Sequence, residues 1–452
     1  MRRAPRMVPG IARWVASMLL VIAPPAFAEG TDLLTLTREA LVNDPTYSAA
    51  RFAQLAAIEA VPQARANLLP NVNASLSESA NRVDYRSTND ALEPSYEKTF
   101  NSWGPALNFT LPVYSAPLWE NLTQAKLSVK QSEARLAQAR AELLLRVAQA
   151  YFDVLAAQDA LTALRENKKA VSEQLAQAKR EFEAGTKTIV DTHEAKARYD
   201  QIDAQEQVAR ADLAVKQSAL RAIIGHDAGE LKALRDPVRL EPPRPNDVDT
   251  WAHDAEDANY SVVAARASAE IARHETRRAR DAYLPSVNLT GGVQYQRSTG
   301  NIYLPVGNNT TASNLGITLT VPVFTGGAIQ SQVREALAHE SRADEDLELA
   351  RRTAAQTARQ AYTGVDYGLA QVQALESAEV SAKTQLDSTR LGYQVGVRIN
   401  LDVLNANTQL FNTQRDLKKA RYDFLVSGLK LKAAAGDLQD EDVQTVNALL
   451  QK

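Results

Sequence analysis

Between Asn314 and Val323 the odd positions Leu315, Ile317, Leu319, Val321 and Val323 are apolar, whereas Asn314, Gly316, Thr318 and Thr320 between them are small or polar. This period of two predicts a strand with one apolar and one polar face. Leu107, Phe109, Leu111 and Val113 repeat it against Asn108 and Thr110, and Val287, Leu289, Val293 and Tyr295 repeat it against Asn288, Thr290, Gln294 and Gln296. Val72, Ala74 and Leu76 against Asn73, Ser75 and Ser77 give a weaker fourth instance. Four strands are therefore expected, over about 71–86, 101–113, 286–298 and 312–324. Elsewhere the period lengthens. Leu143, Val147, Ala150, Val154, Ala157, Leu161 and Leu164 step by 4 and 3, the seam of a coiled coil whose small members let helices approach closely. Leu118 to Glu183 contains no Pro or Gly, which predicts one helix on the order of 100 Å long at about 1.5 Å per residue.

The same pattern is written twice. Pro70 matches Pro285 at an offset of 215, Pro112 matches Pro322 at 210 and Tyr151 matches Tyr362 at 211. From there the offset stays at 211, pairing Gly185 with Gly396, Asp191 with Asp402, Ala195 with Ala406 and Gly225 with Gly436. Matched Gly, Pro and Asp are not residues that helix composition supplies by chance. Each half reads as helix, strand, strand, long helix, turn, long helix. The expected plan is a first repeat over 29–225, a linker over 226–250 rich in Pro and charge, a second repeat over 251–436 and a tail over 437–452. Linker and tail are expected around the equator of the helical part.

Composition narrows the setting. Arg2, Arg3, Arg6 and Arg13 precede a short apolar run from Trp14 to Ala23 and then Ala26, Phe27 and Ala28, the order of a secretory signal peptide cleaved after Ala28. The run falls well short of the roughly 20 residues of a spanning helix. Removing four arginines and no acid takes the net charge from -3 to -7, which speaks against a nucleic-acid partner. The chain has no Cys, so a thiol nucleophile, a zinc–cysteine site, a disulfide scaffold and a lipidated N-terminal Cys are excluded.

Attachment to a membrane then rests on the strands. One apolar and one polar face suits a lipid-facing barrel with a wet lumen, and a soluble sandwich is the alternative. The segments 87–100 and 300–311 are polar and suited to exposed outer loops, with Trp103 and Tyr303 placed for an interfacial aromatic belt. Four strands cannot close, since closed membrane barrels begin at about eight and open edges go unsatisfied in lipid. Several copies must each contribute their strands. Pro112 and Pro322 lack a ladder donor and mark the exits from sheet to helix.

Two segments carry a family resemblance: EFEAGTKTIVDTHEAKARYD from Glu181 to Asp200, and RLGYQVGVRINLDVLNANTQLFN from Arg390 to Asn412. With the ARANLLP and ARDAYLP strand entries and the AAAG ending at Gly436, they resemble the TolC family of outer-membrane efflux and secretion channels over nearly the whole mature chain. The resemblance implies an α+β membrane protein built from a duplicated helix-strand-strand-long helix-long helix unit. It implies a homotrimer with a shared twelve-stranded β-barrel in outer-membrane lipid, continued by a long periplasmic α-helical barrel. Its implied partners are a periplasmic adaptor (membrane fusion) protein and an inner-membrane transporter, with no cofactor.

The resemblance also implies a periplasmic gate. Tyr393 and Arg398 match residues that lock the closed tip to an adjacent helix, and Asp191 matches the carboxylate partner of that tyrosine. Asp402 matches the first of two aspartate rings at the entrance. The second ring falls on Asn405 and a threonine partner of the arginine falls on Val190, departures that imply a weaker cation site and a looser lock. Read from the residues alone, Asp191 and Asp402 are equally well helix N-caps beyond the turns at Gly185 and Gly396, and the exposed tips are the natural adaptor-docking surface.

Catalytic patterns are missing. His193, His226, His253, His274 and His339 have no HExxH spacing and read as surface residues. Arg273, Arg277, Arg278 and Arg280 read as a helix face paired with acids. No GxSxG, Walker loop or dinucleotide fingerprint occurs, so the chain is not read as an enzyme. A periplasmic coiled-coil adaptor would explain the helices but leave the four amphipathic strands and the duplication unexplained. A self-contained porin has too many helices and too few strands.

Overall fold

The computed structural model of the chain describes residues 30–88, 94–300 and 306–451. The expected signal peptide and Tyr303 of the expected aromatic belt lie outside the described residues. The first half runs α1 (Leu33–Asn43), α2 (Pro45–Ile58), α3 (Ala60–Ala66), β1 (Asn71–Tyr85), β2 (Tyr96–Tyr114), α4 (Ala116–Glu183) and α5 (Ile189–Ile224). The second runs α6 (Val248–Ala258), α7 (Tyr260–Asp281), β3 (Ser286–Ser298), β4 (Asn308–Thr320), α8 (Ala328–Gln394), α9 (Asn400–Ala435) and α10 (Asp440–Asn447). With 68 and 67 residues, α4 and α8 each extend on the order of 100 Å.

The strands form one antiparallel sheet in the order β1-β2-β3-β4, so the β2–β3 pairing joins the two halves. Register sorts the faces. Val72, Phe109, Gly291 and Leu315 share one rung, and Leu111, Leu289 and Ile317 another, all on the apolar face. Asn73, Asn108, Gly292 and Asn314 form a rung of the polar face. The apolar face is open, with Leu76 74%, Leu315 73% and Ile317 72% exposed. At Gly104 a β-carbon would fall 1.8 Å from the Tyr295 carbonyl oxygen, so only glycine lets β2 and β3 meet there.

Two strand expectations change. The expected loops 87–100 and 300–311 are shorter than expected at their C-terminal ends, because β2 begins at Tyr96 and β4 at Asn308. Tyr85 and Tyr96 stack with centroids 5.0 Å apart, and Arg82 pairs with Glu97. Beyond the apolar band both faces are polar, so alternation carries no signal there. Of the proline exits, Pro112 lies inside β2, opposite Asn288 at a register irregularity, and the chain enters α4 after Ser115. Pro322 follows β4 by two residues, and α8 begins only after Gly326 and Gly327, both with positive φ. Trp103 packs edge-on against Tyr295 across the β2–β3 pair, 6.2 Å between centroids.

The main core sits where α1, α4, α5, α9, α10 and the linker converge. Leu143, Val147 and Val154 of the predicted seam are buried there. Phe152 stacks on Tyr422 at 5.5 Å, and the Tyr422 hydroxyl donates to Asp159 Oδ2 at 2.6 Å. The linker bridges both termini, Leu231 pairing with Thr31 and Leu234 with Leu450. Matched tyrosines fasten it: Tyr151 donates to the Lys232 carbonyl at 2.6 Å and Tyr362 to Asn246 Oδ1 at 2.8 Å.

Candidate functional site

At the end distant from the sheet, two helical hairpins lie side by side, α4–α5 and α8–α9. Their turns are built alike. Gly185 at φ 72° closes α4 while the Thr186 N–H donates to the Glu181 carbonyl at 2.9 Å. Gly396 at φ 80° closes α8 while the Val397 N–H donates to the Gly392 carbonyl at 2.8 Å. The left-handed backbone costs glycine nothing and lets the chain reverse while the last carbonyls stay bonded.

Asp191 and Asp402 each stand at the third position of the returning helix, one turn inside the N-cap position expected for them. Asp191 Oδ2 accepts from the Thr188 N–H at 3.3 Å and from the Thr188 hydroxyl at 2.9 Å, a capping-box role. The N-cap of α9 is Ile399, which has no side chain to reciprocate. Asp402 instead lies 3.7 Å from the Arg398 guanidinium. The Arg398 stem folds over Gly392, where a β-carbon would come 2.8 Å from its Cγ.

The tyrosine lock has a different partner from the one expected. Tyr393 is 7% exposed, and its hydroxyl donates to Glu181 Oε2 at 2.6 Å, while Asp191 is engaged by the Thr188 cap. Lys187 Nζ stands over the Tyr393 ring at 4.9 Å. Burial pushes the Tyr393 hydroxyl above the ordinary tyrosine range, reinforced by Glu181, so it remains a neutral donor. Val190 is 57% exposed and offers Arg398 no acceptor side chain.

Sequence reasoning missed the polar pins between the hairpins. Asn400 is fully buried, accepting from Gln174 Nε2 at 2.6 Å and donating to the Asp191 carbonyl at 3.3 Å. Asn405 Oδ1 accepts from Arg198 at 2.8 Å, and the buried Asn407 donates to Asn167 at 3.0 Å. The available signal was mismatch between the repeats: Glu181 stands 211 residues before Gly392, and Asn400 stands 211 after Ile189.

Asp402, Arg398 and Asn405 line one polar cleft of about 540 Å³ with Gln385, Ser388, Thr389 and Gln409. In this cleft the Asp402 carboxylate, paired with Arg398, stands among amide and hydroxyl groups. Among the described residues no group of three or more His, Cys, Asp or Glu is placed to hold a metal ion, and no helix is long and apolar enough to cross a membrane. Two arginines of the basic run of α7 are ion-paired, Arg273 with Glu270 and Asp344, and Arg278 with Glu275. His274 departs from its expected surface position: its side chain is 14% exposed and its Nδ1 lies 2.5 Å from Glu120.

Three comparisons bear on this architecture. Over 437 residues the chain is 34% identical to the outer membrane protein TolC of Vibrio cholerae serotype O1, covering 96% of this chain and 97% of that protein. It is 29% identical to the alkaline protease secretion protein AprF of Pseudomonas aeruginosa over 96% of this chain and 89% of that one. The fold matches the Campylobacter jejuni CmeC outer membrane channel with a TM-score of 0.78 at 18% identity, over 99% of this chain and 98% of that one. The model of the outer membrane efflux protein family matches residues 36–226 and again 251–437, and the chain belongs to that family, the family of TolC.

Proposed function

We propose that three copies of this chain form an outer-membrane export duct: twelve strands close a barrel in outer-membrane lipid, and the long helices continue it as a tunnel through the periplasm. The observation that carries this reading is the sheet, whose apolar rows are exposed and whose edge strands β1 and β4 have no partner among the described residues. In hydrocarbon such edges leave backbone N–H and C=O groups unsatisfied, which closure between copies removes. The helices support the same assembly, since Phe52 of α2, Val208 and Val215 of α5, and Leu349, Tyr367 and Val380 of α8 expose apolar side chains.

The hairpin tips form the closed entrance. Three Asp402 carboxylates concentrate negative charge there and draw cations, and Tyr393, Glu181, Asn400 and Arg398 hold the hairpins. A periplasmic adaptor docks on the tips around Gly185 and Gly396, and an inner-membrane transporter supplies the energy. The match to the outer membrane efflux protein family and a relative named for alkaline protease secretion support two tasks for the duct, efflux or protein secretion.

The test is membrane fractionation with chemical crosslinking, followed by conductance in a planar bilayer. A crosslinked trimer in the outer membrane that conducts weakly when closed is the expected result. A chain recovered as a soluble periplasmic monomer would refute the duct.

A further inference from the structure

A cavity of about 530 Å³ lies where the linker, α6, α8, α9 and α10 meet. Leu240 and Pro242 of the linker, Trp251 of α6, Val365 of α8, Phe424 of α9 and Val446 of α10 give it apolar walls. Trp251, Val365, Phe424 and Val446 are buried, so the hollow reaches into the core instead of running across the surface. Apolar concavities of this size are the kind that hold small ligands.

Gly428 keeps the hollow open. It stands in the interior of α9 and lines the cavity, although glycine weakens a helix interior. A β-carbon there would meet nothing within 4 Å, so close packing does not require the glycine. The matched position of the first repeat, 211 residues earlier, carries Gln217, so the repeated plan does not require it either. What the glycine preserves is empty apolar volume.

The polar side chains around that volume are spent on one another. Lys432 pairs with Asp442 and Arg244 with Glu241 at 3.0 Å. The Trp251 indole N–H donates to the Pro245 carbonyl at 2.8 Å, and the Thr445 hydroxyl to the Glu441 carbonyl at 2.9 Å. A peptide entering here would bring N–H and C=O groups that find no free side-chain partner, which is costly. An acyl chain brings none. The exception at the wall is Arg239, which is exposed and has no side-chain partner among the described residues. Its guanidinium suits a carboxylate or phosphate head group. We infer that this cavity binds a single-chain anionic amphiphile, its acyl chain filling the apolar space beside Gly428 and Trp251 and its head held at Arg239. The site is complete within one chain and stands apart from the trimer reading. Occupancy ties the linker to α9 and α10 and stabilises the folded chain by mass action.

The test reads Trp251. With Trp103→Phe and Trp119→Phe it is the one tryptophan among the described residues, and bromine quenches indole emission only at contact range. Mature protein in nanodiscs of zwitterionic lipid is titrated with ω-bromododecanoate. Saturable quenching is expected, severalfold weaker with Arg239→Glu or with the ammonium-headed ω-bromododecylamine, and lost with Gly428→Leu, which fills the cavity. Gly428→Ala adds one methyl in open space and gains helix propensity, so it should keep the wild-type melting midpoint or raise it, and bind the chain more weakly. Quenching that both Gly428 variants leave unchanged overturns the cavity as the site. Equal quenching by carboxylate and ammonium heads overturns the anionic ligand. Palmitate and lysophosphatidylglycerol as competitors separate a free fatty acid from a lysophospholipid, and displacement by neither also counts against the assignment. No quenching of the Trp251-only protein overturns the site while leaving the export duct, which rests on the sheet, untouched.

Discussion

Side chains at the tips divide the work of holding and of selecting. Asp402 follows an N-cap, Ile399, that makes no side-chain cap hydrogen bond, and it lines the polar cleft with Arg398 as its ion partner. Asp402→Ala should weaken cation selectivity and block by divalent cations in bilayer recordings, and unchanged selectivity would remove it from the constriction. Tyr393 donates to Glu181, and a neutral-to-charged bond of this kind contributes about 1.5–3 kcal/mol. Tyr393→Phe and Glu181→Gln should therefore raise closed-state conductance by similar factors, with the double variant close to either single one. Independent effects would show that the two side chains do not act as a pair. Gly185 and Gly396 were legible in the sequence because turns are local, whereas Tyr393 and Asp402 entered through the family resemblance. Glu181 was not legible, because the choice between two carboxylates for one hydroxyl is made by how two hairpins lie together.

For the elements, the close approach of strands and the charge between helices set the limits. Gly104→Ala places a methyl against the Tyr295 carbonyl and forces β2 from β3, so the yield of assembled protein in the membrane should fall while the helical circular dichroism signal persists. Between α4 and α5 the Glu206 carboxylate is 6% exposed and pairs with Arg165, Lys168 and Arg210 at 3.3, 2.9 and 2.6 Å. The Lys168 hydrogen bond, ahead of the opposing desolvation, holds Glu206 below its ordinary value of 4.5. A depressed folded-state value means that the stabilisation is complete above that ordinary value and is lost as pH falls through the lower one. The melting-temperature advantage of the wild type over Glu206→Gln should therefore shrink on acidification below about pH 4.5. An advantage constant from neutral pH to pH 3 would count against the linkage.

Across the whole molecule, one core where both repeats, linker and tail meet governs stability. Phe152 is 1% exposed and contacts Tyr151 and Tyr422, so Phe152→Ala should cost about 3–5 kcal/mol. Thermal unfolding should show this as a clearly lowered midpoint, and a change within a degree would place the core elsewhere. Tyr422, its stacking partner, is held neutral by burial and by the Asp159 charge, and remains the donor that ties α9 to α4.

The sequence by itself determined the four strands, the long paired helices, the duplication and the position of both tips, but not that the entry to each strand pair is broken into several helices or that the tail carries α10. Each feature so determined is a local matter: period two against period 3.6, glycine at positive φ, and matched residues at a constant offset. It also implied that four strands must find partners, because an edge in lipid cannot be satisfied by its own chain. Only the tertiary structure decided that β2 pairs with β3 to make one sheet of both repeats, that strands extend through stretches polar on both faces, and that Tyr393 selects Glu181 while Asp191 caps its own helix. Those outcomes depend on distances between segments about two hundred residues apart, and side-chain type alone does not encode which of several chemically equivalent partners comes within reach.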